Sequence, residues 1–309
     1  MNIVCVEPLG IATDRFEQLR TCYAQKGHNF TYYLDRDEDA NELVQRMCDA
    51  DVVAISNIRL TAEILNKCSR LKYLSVAFTG LDHIDLDYCK SHGIEVQNAA
   101  GYSTTAVSEL TVGLIIDLMR RITVLDNQTR IGGTRGAFLG RELRGKTVGI
   151  VGTGAIGTAV AKLLLAFGCK VLAYSRTKRQ EVELIGGQYT DMQSLLQQSD
   201  IVSLHVPLNS STYHLIGKEQ LDIMKPSALL INTARGNVCD IDAVAEALTS
   251  DKISGAAFDV YEQEPPLPSN HPLLHLPNCI CTPHIAFATK ESFAERAEIV
   301  FNHINTFLK

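Results

Sequence analysis

The chain has 309 residues, about twice the ~150 of a usual single domain, so two domains are expected. Apolar residues make up 46% and charged residues 21%, enough to build real cores and too apolar for a disordered chain. A formal net charge of −6 gives no overall basic footprint for a phosphate backbone, so nucleic acid is not an expected partner. The nine cysteines are scattered, odd in number and without a CxxC pair; they read as reduced thiols of a cytoplasmic protein. Met1-Asn2-Ile3-Val4-Cys5-Val6-Glu7 lacks the basic start of a secretory signal. The sequence holds no apolar run of the about 18 residues that would indicate a membrane span.

Taken in order, residues 2–6, 30–34, 51–55, 73–76 and 94–96 are short apolar runs that predict strands. Between them, apolar residues at spacings of three and four, such as Phe16, Leu19 and Tyr23, predict helices. Thr61 predicts a helix start, its hydroxyl accepting a first-turn amide. From 103 to about 125 the pattern predicts one long helix, and the glycine- and arginine-rich stretch 127–145 a loop or excursion. Strands follow at 147–151, 170–173, 201–204, 228–231, 255–258 and 278–281, with helices between. The prolines of 264–268 predict an extended loop, and 294–308 a closing helix. Strands alternating with helices point to parallel α/β layers.

Gly152-Thr153-Gly154-Ala155-Ile156-Gly157 satisfies GxGxxG. Its context gives the motif weight, because it follows the apolar strand 147–151 and opens a helical pattern. Gly152 makes the tight turn, Gly154 lets a pyrophosphate approach, and Gly157 allows close helix–strand packing; Ala155 and Ile156 begin the helix whose amides face the anion. An NAD site carries Asp or Glu about twenty residues on. Here Ser175 and Arg176 stand there, followed by Lys178 and Arg179. Arg176 can pair with a 2′-phosphate through its planar fork, which favours NADP(H) over NAD(H); the alternative is a merely solvated basic loop.

Three further segments each follow a predicted strand: Asn232-Thr233-Ala234-Arg235-Gly236, Asp259-Val260-Tyr261-Glu262-Gln263-Glu264, and Thr282-Pro283-His284-Ile285-Ala286-Phe287. Residues beyond strand carboxyl ends face the ligand crevice of an open α/β sheet. An arginine there can hold an anionic substrate and polarise its carbonyl. A histidine can donate a proton, and a glutamate can pair with that histidine. His271 and His275 have the i, i+4 spacing of a metal pair, but Pro272 and Pro277 break the helix that would align them, so no metal is expected.

These motifs, with His205-Val206-Pro207-Leu208, Thr212 and Lys225-Pro226, resemble in order and spacing the D-isomer-specific 2-hydroxyacid dehydrogenase family. The pieces at 77–81, 100–104 and 284–289 look most like its glycerate dehydrogenases, that is, hydroxypyruvate reductases. Phe287, where tryptophan is common in that group, and Ser175, where many members carry aspartate, are departures. The resemblance implies two Rossmann/flavodoxin-like parallel-sheet domains with a cleft between them. A substrate-binding domain would comprise 1–99 plus 285–309, and an NAD(P)-binding domain 100–284. It implies Arg235, Glu264 and His284 as the catalytic set. Thr233, Ala234, Asp259 and Ala286 would lie on the nicotinamide side, with Arg235 and His284 also near the cofactor. His205, Val206, Pro207 and Thr212 would line the adenosine side. Ala77, Phe78, Thr79 and Gly80 would form the loop whose amides receive the substrate carboxylate, together with Arg235 and His284.

The implied activity is hydride transfer between NAD(P)H and a small 2-oxo acid, giving a D-2-hydroxy acid, in a homodimer assembled through the long helix from about 103 and the 127–145 excursion. The rival reading is a non-catalytic NAD(P)-sensing binding protein on the same scaffold. A formate-type dehydrogenase suits the chain poorly, since Glu264 with His284 makes a proton donor that formate oxidation does not need.

Overall fold

The computed structural model describes residues 1–263 and 266–309. Glu264, expected to be catalytic, and Pro265 of the expected proline loop lie outside the described residues. The chain divides into two compact units, Met1–Ser103 with Ala288–Lys309, and Thr104–Phe287.

In the first unit, strands β1 (Asn2–Cys5), β2 (Asn29–Tyr32), β3 (Val52–Ile55), β4 (Tyr73–Val76) and β5 (Glu95–Asn98) alternate with helices α1 (Thr13–Gln25), α2 (Ala40–Met47), α3 (Ala62–Asn66) and α4 (Leu86–Ser91). They form one parallel sheet in the order β2-β1-β3-β4-β5. The central strands VVAI and YLSV are buried throughout, as a sheet covered on both faces requires. The edge strand β5, EVQN, alternates between exposed and half-buried positions. Helix α1 turns Phe16, Leu19 and Tyr23 inward at helical spacing. Thr61 occupies the N-cap of α3 but its hydroxyl makes no cap bond, so the expected cap bond is absent.

The second unit opens with α5 (Thr104–Arg120) and α6 (Ile122–Arg130). The single long helix expected here is two helices, because Arg121 adopts the left-handed backbone conformation at φ +51°. The Asp117 carboxylate restarts the chain by accepting the Thr123 amide at 2.9 Å. Helix α6 also takes up the first residues of the expected 127–145 excursion.

There follow β6 (Thr147–Val151), α7 (Ala155–Ala166), β7 (Lys170–Tyr174), α8 (Gln180–Leu184), β8 (Gln188–Tyr189), α9 (Met192–Gln198) and β9 (Ile201–Leu204). Next come α10 (Lys218–Asp222), β10 (Leu229–Asn232), α11 (Ile241–Thr249), β11 (Gly255–Phe258) and β12 (Cys279–Cys281). All are parallel, in the order β12-β11-β10-β9-β6-β7-β8. Read from β8, the first six strands have the doubly-wound dinucleotide-binding order, with β12 added at the far edge. The two-residue β8 was not anticipated from the sequence. Two apolar clusters cover the sheet, one including Leu195, Leu204, Val244 and Phe258, the other Ile115, Ile150, Leu164 and Ile231. The chain then returns to the first unit as α12 (Lys290–Phe307), entered through Thr289, whose hydroxyl accepts the Ser292 amide at 3.0 Å.

Candidate active site

The parallel direction of the second sheet sets the site. Strands β6, β7, β9, β10, β11 and β12 all end on the same side, so the segments after them are gathered along one edge. At the end of β6, Gly152 has φ +95°, and a Cβ there would meet the His205 carbonyl oxygen at 2.4 Å. A Cβ at Gly157 would meet the Gly152 carbonyl oxygen at 1.9 Å. Both positions therefore need glycine, one for conformation and both for close approach. Gly154 differs: a Cβ there would touch nothing within 4 Å. It is the N-cap of α7 and has no side chain to offer the first-turn amides. An open space above uncapped helix amides fits a pyrophosphate, so the residues present suit a dinucleotide.

Ser175 and Arg176 follow β7, half-buried and exposed respectively. After β9, the His205 amide donates to the Val151 carbonyl at 2.7 Å and its Nε2 lies 2.9 Å from the Ser203 hydroxyl. Burial lowers the His205 pKa to about 3, so the ring is neutral at ordinary pH. Val206 and Pro207 continue this loop. It is closed by the buried Thr212, whose hydroxyl donates to the Pro207 carbonyl at 2.6 Å and accepts the Asn209 amide at 2.9 Å.

Beyond β10, the fully buried Asn232 organises the turn carrying Arg235. Its side-chain oxygen accepts the Ala234 amide at 3.0 Å and its nitrogen donates to the Arg235 carbonyl at 2.9 Å. Thr233 is buried and pairs hydroxyl to hydroxyl with Thr111 at 3.0 Å. The Arg235 side chain is half-buried and donates to the Ala234 carbonyl at 2.7 Å.

Asp259, after β11, has no exposed surface. Its carboxylate accepts the Thr282 hydroxyl at 2.6 Å and the Ile285 and Ala286 amides at 2.9 and 2.8 Å. Burial raises its pKa above the ordinary carboxylate value, against the opposing pull of these donors and of His284. The turn it clamps carries His284 at φ +53°, left-handed and costly for a residue with a side chain. The His284 ring meets Phe287 edge-on, with centroids 5.2 Å apart.

The remaining expected residues stand on other segments. Ala77 and Phe78 are buried at the end of β4 in the first unit, with Thr79 exposed and Gly80 half-buried. The Ala77 amide is already committed to the Ile55 carbonyl at 2.6 Å, so a ligand would be met by amides further along that loop. His271 Nε2 pairs with Glu262 at 3.1 Å, while His275 Nε2 lies 2.7 Å from the Ser269 carbonyl oxygen, so the two rings take separate partners. Asn232 and Thr282 stand within the motifs, and the fold shows them holding the site loops. A buried polar residue at a strand's last position was the available signal for Asn232.

Residues 112–286 match the D-isomer specific 2-hydroxyacid dehydrogenase, NAD binding domain. A glyoxylate reductase of Thermofilum pendens is 44% identical over 276 residues, covering 87% of this chain and 81% of the relative. Among solved structures, an acyclic imino acid reductase in complex with NADPH and D-Arg aligns with TM-score 0.89 at 30% identity, covering 100% of this chain and 97% of that one. A D-lactate dehydrogenase from Aquifex aeolicus, complexed with NAD and lactic acid, aligns with TM-score 0.86 at 34% identity over 99% of this chain and 95% of its own. By this family match and these similarities, the chain belongs to the D-isomer specific 2-hydroxyacid dehydrogenases.

Proposed function

We propose that this chain is an NAD(P)H-dependent reductase converting short 2-oxo acids, of the glyoxylate and hydroxypyruvate class, into D-2-hydroxy acids. The observation that carries the reading is the convergence of the open glycine turn, Arg235 and the clamped His284 turn along one edge of a parallel sheet. When bound, the dinucleotide supplies the hydride. The turn from Gly152 through Ala155 and Ile156 to Gly157 holds its pyrophosphate. His205, Val206, Pro207 and Thr212 line the adenosine side, and Thr233, Ala234, Asp259 and Ala286 the nicotinamide side. Arg235 holds the substrate carboxylate and steadies negative charge growing on the carbonyl oxygen. His284 delivers a proton to that oxygen. In the first unit, the Thr79 and Gly80 amides receive the substrate carboxylate.

NADP(H) is the preferred cofactor in this reading. Ser175 places no carboxylate at the end of β7 to repel a 2′-phosphate, and the exposed Arg176 follows it. The protein is a homodimer formed through α5, α6 and the segment after them. Ile122, Val124, Ile131 and Leu139 are 53%, 51%, 80% and 79% exposed, an apolar series beside a cavity of about 480 Å³ that Val124, Phe138 and Leu139 help line. Light scattering should give a dimer mass, and Ile131→Lys with Leu139→Lys a monomer.

The direct test is oxidation of NADPH and NADH, side by side, with glyoxylate, hydroxypyruvate and a bulkier 2-oxo acid. Turnover of the small acids, faster with NADPH and giving the D product, is expected. His284→Gln should lower kcat about 10²–10⁴-fold, the range for a positioned acid–base group. Turnover with NADH alone would overturn the NADP(H) preference and keep the reductase. Cofactor binding with no turnover of any 2-oxo acid would replace the reductase with the sensing protein.

A further inference from the structure

The basic loop after β7 is fastened at both ends to the glycine turn. At its start, the Gly152 amide donates to the Tyr174 carbonyl at 2.8 Å. At its end, the Arg179 amide donates to the Tyr189 hydroxyl at 2.8 Å. That same hydroxyl lies 2.8 Å from the hydroxyl of Thr153, the second residue of the glycine turn, which is only 1% exposed. The Tyr189 ring also lies under Lys178, whose Nζ is 5.7 Å from its centroid. Tyr189 itself is fixed by the β7–β8 pairing, opposite Ala173. The four residues Ser175, Arg176, Thr177 and Lys178 thus bridge two anchors, and Arg176 stands exposed between them.

We propose that Tyr189 is a positioning residue for cofactor selectivity: its hydroxyl locks the 175–179 loop to the glycine turn, so that Arg176 and Lys178 are set to meet an anionic phosphate on the cofactor's adenosine ribose. The inference rests on the NADP(H) reading above. A loop ordered before binding loses less conformational freedom when it closes on a ligand. The benefit goes to the ligand that the loop's cations touch, the 2′-phosphorylated one, and not to its unphosphorylated counterpart.

Phenylalanine at 189 keeps the ring under Lys178 and removes both hydroxyl bonds. Calorimetric titration of the full chain with 2′-phospho-AMP and with 5′-AMP reads the effect without turnover. Tyr189→Phe should weaken 2′-phospho-AMP about five- to tenfold, the worth of roughly one hydrogen bond, and leave 5′-AMP within about twofold. The kcat at saturating NADPH should be unchanged while KM for NADPH rises. Tyr189→Leu removes the same two hydroxyl bonds together with the ring and should weaken 2′-phospho-AMP at least as much while sparing 5′-AMP, which covers the case of the phenylalanine variant folding poorly. Equal weakening of both ligands would reduce Tyr189 to a structural role, and no weakening of either would remove it; each result overturns the proposal. Failure of the underlying reading is seen separately: wild-type protein would not discriminate between the two ligands, and Arg176→Ala would change neither.

Discussion

Gly154→Ala and Gly157→Ala should separate two properties that the glycine turn combines. At Gly157 the added methyl carbon would lie 1.9 Å from the Gly152 carbonyl oxygen and 3.3 Å from the His205 Cβ. Relief needs a backbone shift of roughly 1 Å, since such contacts are normally above about 3 Å. The turn has little room to give it, because the Gly152 amide is bonded to Tyr174 and Gly152 is packed against the His205 carbonyl. Overpacking that moves backbone costs about 3 kcal/mol, which lowers Tm by about 6–12 °C in a unit of this size.

At Gly154, φ is −66° and the methyl meets no protein atom, so stability should change by less than about 0.5 kcal/mol. The same methyl enters the space assigned to the pyrophosphate and should weaken dinucleotide binding at least about tenfold, or 1.4 kcal/mol. Circular dichroism melts give the first quantity and calorimetric titration the second; the chain has no tryptophan whose quenching could report binding. Wild-type affinity in Gly154→Ala would refute the placement of the pyrophosphate. A wild-type melt in Gly157→Ala would refute the packing argument.

Two further predictions concern polar groups on the loops that follow β11 and β9. Asp259→Asn keeps the shape but cannot accept all three donors of the 282–286 turn, leaving at least one unsatisfied at about 1–3 kcal/mol. It should lower Tm by several degrees and kcat about 10–10²-fold as His284 loses its fixed position; a variant within twofold of wild type in kcat would show that the clamp does not serve catalysis. His205 should make the fold acid-sensitive. Its folded pKa of about 3 lies below the about 6.5 of an unfolded histidine, so its contribution is complete above the unfolded value and drains away as pH falls toward the folded one. Between pH 7 and 5 the loss is about 2 kcal/mol, and His205→Asn should flatten that limb of a Tm–pH curve; an unaltered slope would assign the acid sensitivity to other groups.

Strands 73–76, 147–151, 201–204 and 255–258 could be read from the sequence to the residue. Each is a short, mainly apolar run whose ends coincide with the ends of strand pairing in the sheet. The misreadings occur where the deciding fact is not periodic. The break between α5 and α6 depends on one arginine adopting a left-handed conformation, with no glycine or proline to mark it. Strand β8 is two residues long and exists only because β7 offers an open edge. At the candidate site, the segments that follow the strand ends were legible as motifs, because the strand ends fix their spacing. Thr282 and Tyr189 were not, since each acts on a segment that only the folded sheet brings near; Asn232, whose partners are two and three residues on, is marked only by its polar side chain at a buried strand end.

The site's cost to the fold also says something about what it is for. A purely structural strand-to-helix connection has no need of a histidine at φ +53°, nor of a carboxylate with no exposed surface beside it. Asp259 spends its hydrogen-bonding capacity on holding that strained turn, although its own burial disfavours the charge. Asn232 does the same for the Arg235 turn from the neighbouring strand end, using both halves of its amide. Each turn therefore has a buried polar anchor on the sheet, one strand away from or directly beneath the residue it presents. Rigid elements of this kind can hold an imidazole and a guanidinium at a fixed separation without help from a ligand, which would reduce reorganisation at the moment of reaction. Weakening either anchor should consequently act on kcat more than on KM for the 2-oxo acid, whereas removing Arg235 should act on both. Equal effects of Asn232→Ala and Arg235→Ala on KM would show that the anchor serves substrate binding and not the fixed presentation of the reacting groups.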